Sequence, residues 1–206
     1  MLDVNLLGFE FNGARVAANT YGYNYINEFI RVIDTFAPAN VQAILEWGSG
    51  LTSQVLADYA VRQWKSELFL TIDDNEIYQK SIFAAAAAPA CVSLKTINLT
   101  GLCRSQEDPE LNYSTFPLSL GRKFDLLFID GRRRVECAFI ASLLAHEASI
   151  IIMHDYRRAR YQPARALFEI VEDGQQFRVM RLHKPMVPLL AETSESVFAA
   201  LRDASA

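Results

Sequence analysis

Apolar residues gather along this chain in two alternating patterns. Residues 43 to 47, 68 to 72, 124 to 130 and 148 to 153 make short, nearly unbroken apolar runs, as strands buried on both faces do. Between them the apolar period changes to three and four. Ile26, Phe29, Ile30 and Ile33 follow it and predict a helix over 25 to 36, ended by Pro38. Further helices are expected at 51 to 62, 75 to 83 and 135 to 145, with Ala84 to Ala88 extending the second until Pro89 stops it. Residues 92 to 99 alternate as a strand does. The last third reads as a helix over 163 to 171, a turn at Asp173-Gly174 and a strand near 177 to 182. Beyond Pro185 and Pro188, a closing helix over 193 to 202 is expected.

Strands alternating with helices predict an α/β fold, a mostly parallel sheet with helices on both faces. A single domain over 1–206 is expected, with an N-terminal arm and helix (1–40), a core (41–182) and a tail (183–206). Two stretches lack a clear period. Residues 1 to 24 are rich in Asn, Gly and Tyr, and Thr20 to Tyr25 reads either as a lid or as an arm packed on the domain. Residues 101 to 121, with Asp108-Pro109 and Phe116-Pro117, read as an irregular loop.

The chemistry sits where the apolar runs end. The first passes into Glu46-Trp47-Gly48-Ser49-Gly50-Leu51-Thr52-Ser53 and then into a helix, the ligand-binding start of a βαβ unit. Glycine permits positive φ and close approach of a ligand, and Ser49, Thr52 or Ser53 suits the helix cap. A nucleoside-triphosphate loop is excluded, because no Gly-Lys-Ser/Thr follows at the required spacing. The dinucleotide fingerprint is incomplete, because Ser53 stands where its third glycine belongs. An uncharged or zwitterionic nucleoside ligand is left.

Glu46-x-Gly48-x-Gly50 resembles motif I of class I S-adenosylmethionine-dependent methyltransferases. The resemblance implies that the loop of Gly48, Ser49, Gly50 and Ser53 packs under the methionine part of the cofactor, with Glu46 serving the same site. It implies a second acid that holds the ribose hydroxyls, matched by Asp73 at the end of the next apolar run. Two carboxylate oxygens suit two neighbouring hydroxyls. The fold implied is the Rossmann-like methyltransferase fold.

Two later runs also end in polar residues: 124 to 129 in Asp130-Gly131-Arg132, and 148 to 153 in His154-Asp155-Tyr156. This outline is similar to small-molecule O-methyltransferases of the macrocin and cephalosporin-tailoring type. There the acids matching Asp130 and the 154–155 pair bind Mg²⁺, so Asp130 and Asp155 become the metal candidates. Histidine at 154 departs from that pattern, since magnesium prefers oxygen ligands. Without metal, His154 is the general base candidate, with Asp130 and Asp155 orienting it or binding a hydroxyl, because imidazole titrates nearest neutral pH. The bland alternative is a histidine bonded within a strand–helix junction. Further departures are Ala145-His146-Glu147-Ala148, in place of a Pro-Gly-Gly turn, and a final hairpin that reads as short or absent.

Seven arginines (132, 133, 134, 157, 158, 160 and 165) follow these runs. They suit either an anionic acceptor group, with Arg132, Arg157 and Tyr156 as its binding residues, or solvent-facing charge balance. The chain has 206 residues, 51% of them hydrophobic, and a net charge of -4, with a pI near 5.4. That balance gives no general attraction to nucleic acid, leaving open a local basic patch, and the small-molecule partner is what the resemblance implies. Cys91, Cys103 and Cys137 lack zinc-like spacing. No leader or membrane-spanning run is seen, so a cytoplasmic protein is expected, with self-association left open. The resemblance implies S-adenosylmethionine-dependent methyl transfer to a hydroxyl of a small acceptor, an anionic one where the arginines serve it. The alternatives are a nicotinamide-binding oxidoreductase and a non-catalytic α/β adaptor.

Overall fold

The computed structural model describes residues 8–11, 14–17, 20–83, 88–99, 113–184 and 187–204. A small hairpin, β1 (Gly8–Phe11) with β2 (Ala14–Ala17), precedes helix α1 (Thr20–Phe36). Then follow β3 (Ala43–Trp47), α2 (Leu51–Tyr59), β4 (Leu68–Asp73), α3 (Glu76–Ile82) and β5 (Val92–Thr96). The second half runs through β6 (Phe124–Ile129), α4 (Arg134–Leu144), β7 (Ala145–His154), β8 (Phe168–Asp173), β9 (Phe177–Leu182) and α5 (Val187–Ala204). Short 3₁₀ segments, Phe116–Leu120 and Ala159–Leu167, lead into β6 and β8.

Seven strands form one sheet in the order β5-β4-β3-β6-β7-β9-β8. The first five pair in parallel, and β9 lies antiparallel between β7 and β8. From β3 the chain builds outward to β4 and β5, then returns to the other side of β3 for β6 and β7. That reversal leaves a crevice beyond the carboxyl ends of β3 and β6, where open α/β sheets bind ligands.

Alternate residues of each central strand enter different cores. Leu45, Trp47, Leu127, Ile129, Ile151 and Met153 pack with Cys137, Ala138 and Ala141 of α4 and with Leu190 and Phe198 of α5. Ile44, Leu126, Phe128, Ile150 and Ile152 pack with Phe29 and Ile33 of α1 and with Val55 and Leu56 of α2. Strands buried on both faces have little room for polar residues except at their ends, which is why their sequences read as unbroken apolar runs.

Four expectations need correction. The final hairpin is present, as β8 and β9. Residues 163 to 171 do not form one helix: a 3₁₀ segment holds Pro163, and the chain is extended from Phe168. Pairing with β9 across the Asp173-Gly174 turn overrides the local helical reading. The last helix begins at Val187, with Pro188 in its first turn, where a missing N–H costs nothing. Finally, α1 starts at Thr20, so the Tyr-rich stretch is the first turn of a helix. The alanine extension over 84 to 87 and most of the 101 to 121 loop lie outside the described residues. Among the described residues, no helix is long and apolar enough to cross a membrane.

Candidate functional site

At the end of β3, Gly48 adopts φ +98° and lies directly on Gly131, the residue after Asp130. A Cβ on Gly48 would sit 2.4 Å from the Gly131 nitrogen, and one on Gly131 would sit 2.1 Å from the Tyr113 hydroxyl. Trp47 carbonyl accepts from both Asp130 and Gly131 N–H groups, at 2.9 and 2.6 Å. The two loops therefore join backbone to backbone, which requires glycine on both sides.

Glu46 points beneath this loop and is fully buried. Thr52 Oγ1 donates to one carboxyl oxygen at 3.0 Å, and Ser53 Oγ and Thr71 Oγ1 donate to the other at 2.5 and 2.7 Å. Burial pushes its pKa from an ordinary 4.5 up to about 8, against the opposing pull of those three hydroxyls. Ser53 also accepts from the Gly50 N–H at 2.8 Å, the reciprocal half of a capping box. The network continues through Ser49 Oγ, 2.8 Å from Thr71 Oγ1, to Gln79 Nε2 at 3.0 Å. Gln79 Oε1 accepts from Thr96. One polar string thus ties β3, β4, β5, α2 and α3 under the glycine loop.

Asp73 ends β4 at the same edge. Its oxygens accept N–H groups from Ser49 at 2.9 Å and Asn75 at 2.8 Å, with the Asp74 N–H also against the carboxylate, and burial raises its pKa. A carboxylate has about four acceptor sites, so capacity is left for a ligand hydroxyl. Above Gly50 the space for a side chain is open, its nearest neighbour being the Tyr78 hydroxyl at 3.8 Å. This open floor beside Asp73 fits a nucleoside with paired ribose hydroxyls. Tyr78 and Ile77, both exposed at the start of α3, were not singled out from sequence. The Tyr78 hydroxyl lies over Gly50 and so faces the crevice, and partial burial, then the nearby Asp73, Asp130 and Glu46, raise its pKa.

The second half of the site is built on Asp130. Its Oδ1 lies 2.6 Å from His154 Nδ1 and 2.9 Å from the Arg134 guanidinium, and its Oδ2 accepts the Tyr25 hydroxyl at 2.7 Å. An acceptor at Nδ1 favours a proton there, and Nε2 lies 3.4 Å from Gln176 Oε1 and 3.9 Å from Asp155 Oδ1. Tyr25 packs edge-on to the imidazole at 4.8 Å, and Phe177 lies 5.3 Å from it. Strand β7 ends at His154, and Asp155 turns into the left-handed region at φ 58°. This turn lets two adjacent residues face one cluster, which strand alternation would forbid.

Arg134 holds the cluster together. It donates to the carbonyls of Gly131, Asp130 and His154 at 3.0, 2.7 and 2.6 Å, and also reaches Asp155 Oδ2 at 3.5 Å. From sequence it was one of seven arginines, with nothing to distinguish it. Arg132 pairs with Asp74 at 3.1 Å beside the crevice. Tyr156 and Arg157 turn elsewhere: both donate to the Gly174 carbonyl, at 2.8 and 2.9 Å, in the β8–β9 turn.

The magnesium suggested by resemblance does not fit Asp130 and Asp155. Arg134 stands between these carboxylates, His154 shares Asp130 Oδ1 with it, Tyr25 binds Oδ2, and Arg158 pairs with Asp155 Oδ2 at 2.6 Å. A guanidinium therefore supplies the positive charge where a cation would have to stand. Among the described residues, no group of three or more His, Cys, Asp or Glu is placed to hold a metal ion.

No known family matches this sequence, and no curated protein matches it. Its backbone does resemble solved structures. A methyltransferase-like protein from Silicibacter pomeroyi is 14% identical with TM-score 0.52, over 82% of this chain and 93% of that one. Ribosomal protein L11 methylase from Lactobacillus delbrueckii subsp. bulgaricus is 14% identical with TM-score 0.51, over 78% and 80%. Spermidine synthase from Thermotoga maritima is 10% identical with TM-score 0.51, over 84% of this chain and 62% of that one. The fold is the Rossmann-like class I methyltransferase fold. One fold serves several chemistries, so the reaction has to be argued from the site.

Proposed function

We propose that this protein is an S-adenosylmethionine-dependent methyltransferase acting on a hydroxyl of a small, anionic acceptor. The observation that carries this reading is the pairing of two half-sites across one crevice. The open glycine floor beside Asp73 lies on one side, and the Asp130–His154 pair on the other. Asp73 would hold the ribose hydroxyls, and Gly48, Ser49 and Gly50 would lie under the rest of the cofactor, on the Glu46 and Ser53 network. S-adenosylmethionine, when bound, supplies an electrophilic methyl group on a sulfonium leaving group. His154 Nε2 would accept the acceptor's hydroxyl proton as the oxygen attacks, while Asp130 steadies the resulting imidazolium. Arg134 and Tyr25 keep Asp130 in place by binding the sides that His154 leaves free. Much of the rate then comes from alignment of nucleophile and methyl. Among the first-chosen acceptor residues, Arg132 borders the crevice, whereas Tyr156 and Arg157 brace the β8–β9 turn beneath Asp155.

Calorimetric titration with S-adenosylmethionine and S-adenosylhomocysteine tests the cofactor half. Micromolar binding that Asp73→Ala weakens at least about tenfold is expected. Absence of binding by either ligand, or binding of NADH in their place, overturns the reading. His154→Ala is expected to leave cofactor binding intact and to abolish turnover of any acceptor found.

A further inference from the structure

Beside the Asp130 cluster lies a cavity of about 490 Å³, lined by Gly131, Val135, Glu136, Tyr161 and five arginines: Arg132, Arg133, Arg134, Arg158 and Arg160. So many guanidiniums around one hollow repel each other unless anions answer them. Among the described residues, their carboxylate partners include Asp74 for Arg132, Glu136 for Arg133, Asp130 and Asp155 for Arg134, and Asp155 for Arg158. Arg158 and Arg134 share one oxygen of Asp155. Arg160 has no ion pair among the described residues and rests its guanidinium 4.8 Å from the Tyr161 ring.

The exposed pairs are exchangeable. Arg132 and Arg158 side chains are 68% and 53% accessible, and solvent-screened ion pairs of this kind are weak. The cavity also opens at the start of α4, whose N-cap, Arg133, adopts the left-handed conformation and gives no side-chain acceptor to the first-turn N–H groups. These donors add to the positive potential that the arginines create.

We propose that this cavity binds a phosphate group of the acceptor, so that the substrate is a small phosphorylated alcohol. This rests on the methyltransferase reading only for the word substrate; the anion site itself does not. A carboxylate presents two oxygens in one plane, which a single guanidinium fork satisfies. Here guanidiniums converge from the Gly131–Arg134 turn on one side and from Arg158 and Arg160 on the other. A tetrahedral group with oxygens in several directions meets both sets at once. The volume exceeds what a lone carboxylate needs and lies in the range of small-molecule sites. Asp155 joins the cavity to the base: its Oδ2 pairs with Arg158, and its Oδ1 lies 3.9 Å from His154 Nε2. A phosphate seated among Arg158 and Arg160 would lie on the Asp155 side of His154.

The test is titration of the intact protein with inorganic phosphate, with acetate at equal ionic strength as control. Saturable phosphate binding is expected, weakened about tenfold or more in Arg158→Ala/Arg160→Ala, while acetate neither binds nor competes. Arg160→Glu should do the same and, with no ion pair among the described residues to break, should keep the thermal midpoint of the parent. Absence of saturable phosphate binding, equal binding of acetate, or unchanged phosphate affinity in the double variant overturns the proposal. S-adenosylhomocysteine affinity should be unchanged in the double variant; if it falls with phosphate affinity, the arginines serve the cofactor's carboxylate and the proposal fails. Phosphate binding without S-adenosylmethionine binding overturns the methyltransferase reading and leaves the anion site standing.

Discussion

Two carboxylates at the same sheet edge are kept in opposite ways. Glu46 lies under the glycine loop among hydroxyls, with no cation against it among the described residues, and burial raises its pKa to about 8. Asp130, on the neighbouring strand two residues beyond Glu46's partner Phe128, is held by a guanidinium, an imidazole and a phenol. The first arrangement makes a closed floor, since a neutral or hydroxyl-bonded acid has nothing to exchange with a ligand. The second leaves charge at the mouth of an arginine-lined cavity, where pairs can be traded for those of a substrate. The difference shows how one edge can hold a rigid binding platform and a reactive, charge-selective pocket side by side.

Breaking the joint between the two halves should have the largest effect. Gly48→Ala forces a side chain onto a positive φ and into the Gly131 backbone, and a loss of about 4 kcal/mol or more is expected in denaturant unfolding. Gly131→Ala, which meets the Tyr113 hydroxyl as well, should follow closely. Unaltered unfolding midpoints in both would mean that the loops do not meet as described.

Removing the cation from the charged half comes next. Arg134→Met strands Asp130 and Asp155 beside each other, and a loss of about 3 kcal/mol is expected. Arg134→Lys keeps a charge but not the fork that reaches three carbonyls, so it should recover only part of that loss. Full recovery by lysine would reduce Arg134 to a simple counter-ion.

The uncharged half should reveal itself through pH. A carboxyl whose folded pKa lies above its unfolded value binds its proton more tightly in the native state. Its contribution is fully present below pH 4.5 and is lost as pH rises through about 8. Thermal midpoints of the parent should therefore fall, relative to those of Glu46→Gln, between these limits. A difference that stays flat or rises with pH would show that Glu46 remains ionised.

The smallest effect is expected from Tyr25→Phe, which deletes one hydrogen bond to Asp130 and leaves the ring on His154 and Phe177: about 1 to 2 kcal/mol. Under the proposed mechanism the same variant should shift the pH profile of turnover, since Tyr25 helps set the charge that Asp130 presents to His154. An unchanged profile would make it a packing residue.

The central strands, their alternation with helices and the polar residues at their ends are written in the local pattern of the chain. Apolar runs such as 124 to 129 are legible because both faces of those strands are buried, and the chemistry can appear only where the run stops. Glycines 48 and 50 are legible for the same reason, as breaks in an otherwise apolar stretch. Contacts between distant residues set everything else. Phe168–Asp173 is a strand because β9 pairs with it, and its half-exposed edge position leaves too weak a pattern to read alone. Tyr25 and Asp130 are 105 residues apart, and Arg134 is one cation in a run of three until folding points it at Asp130, Asp155 and three carbonyls. Backbone turns selected those partners: the left-handed Asp155 brings it round beside His154, and the Gly48–Gly131 contact sets the two loops against each other. Local sequence names the reactive groups, but distance and direction between them arise from long-range packing.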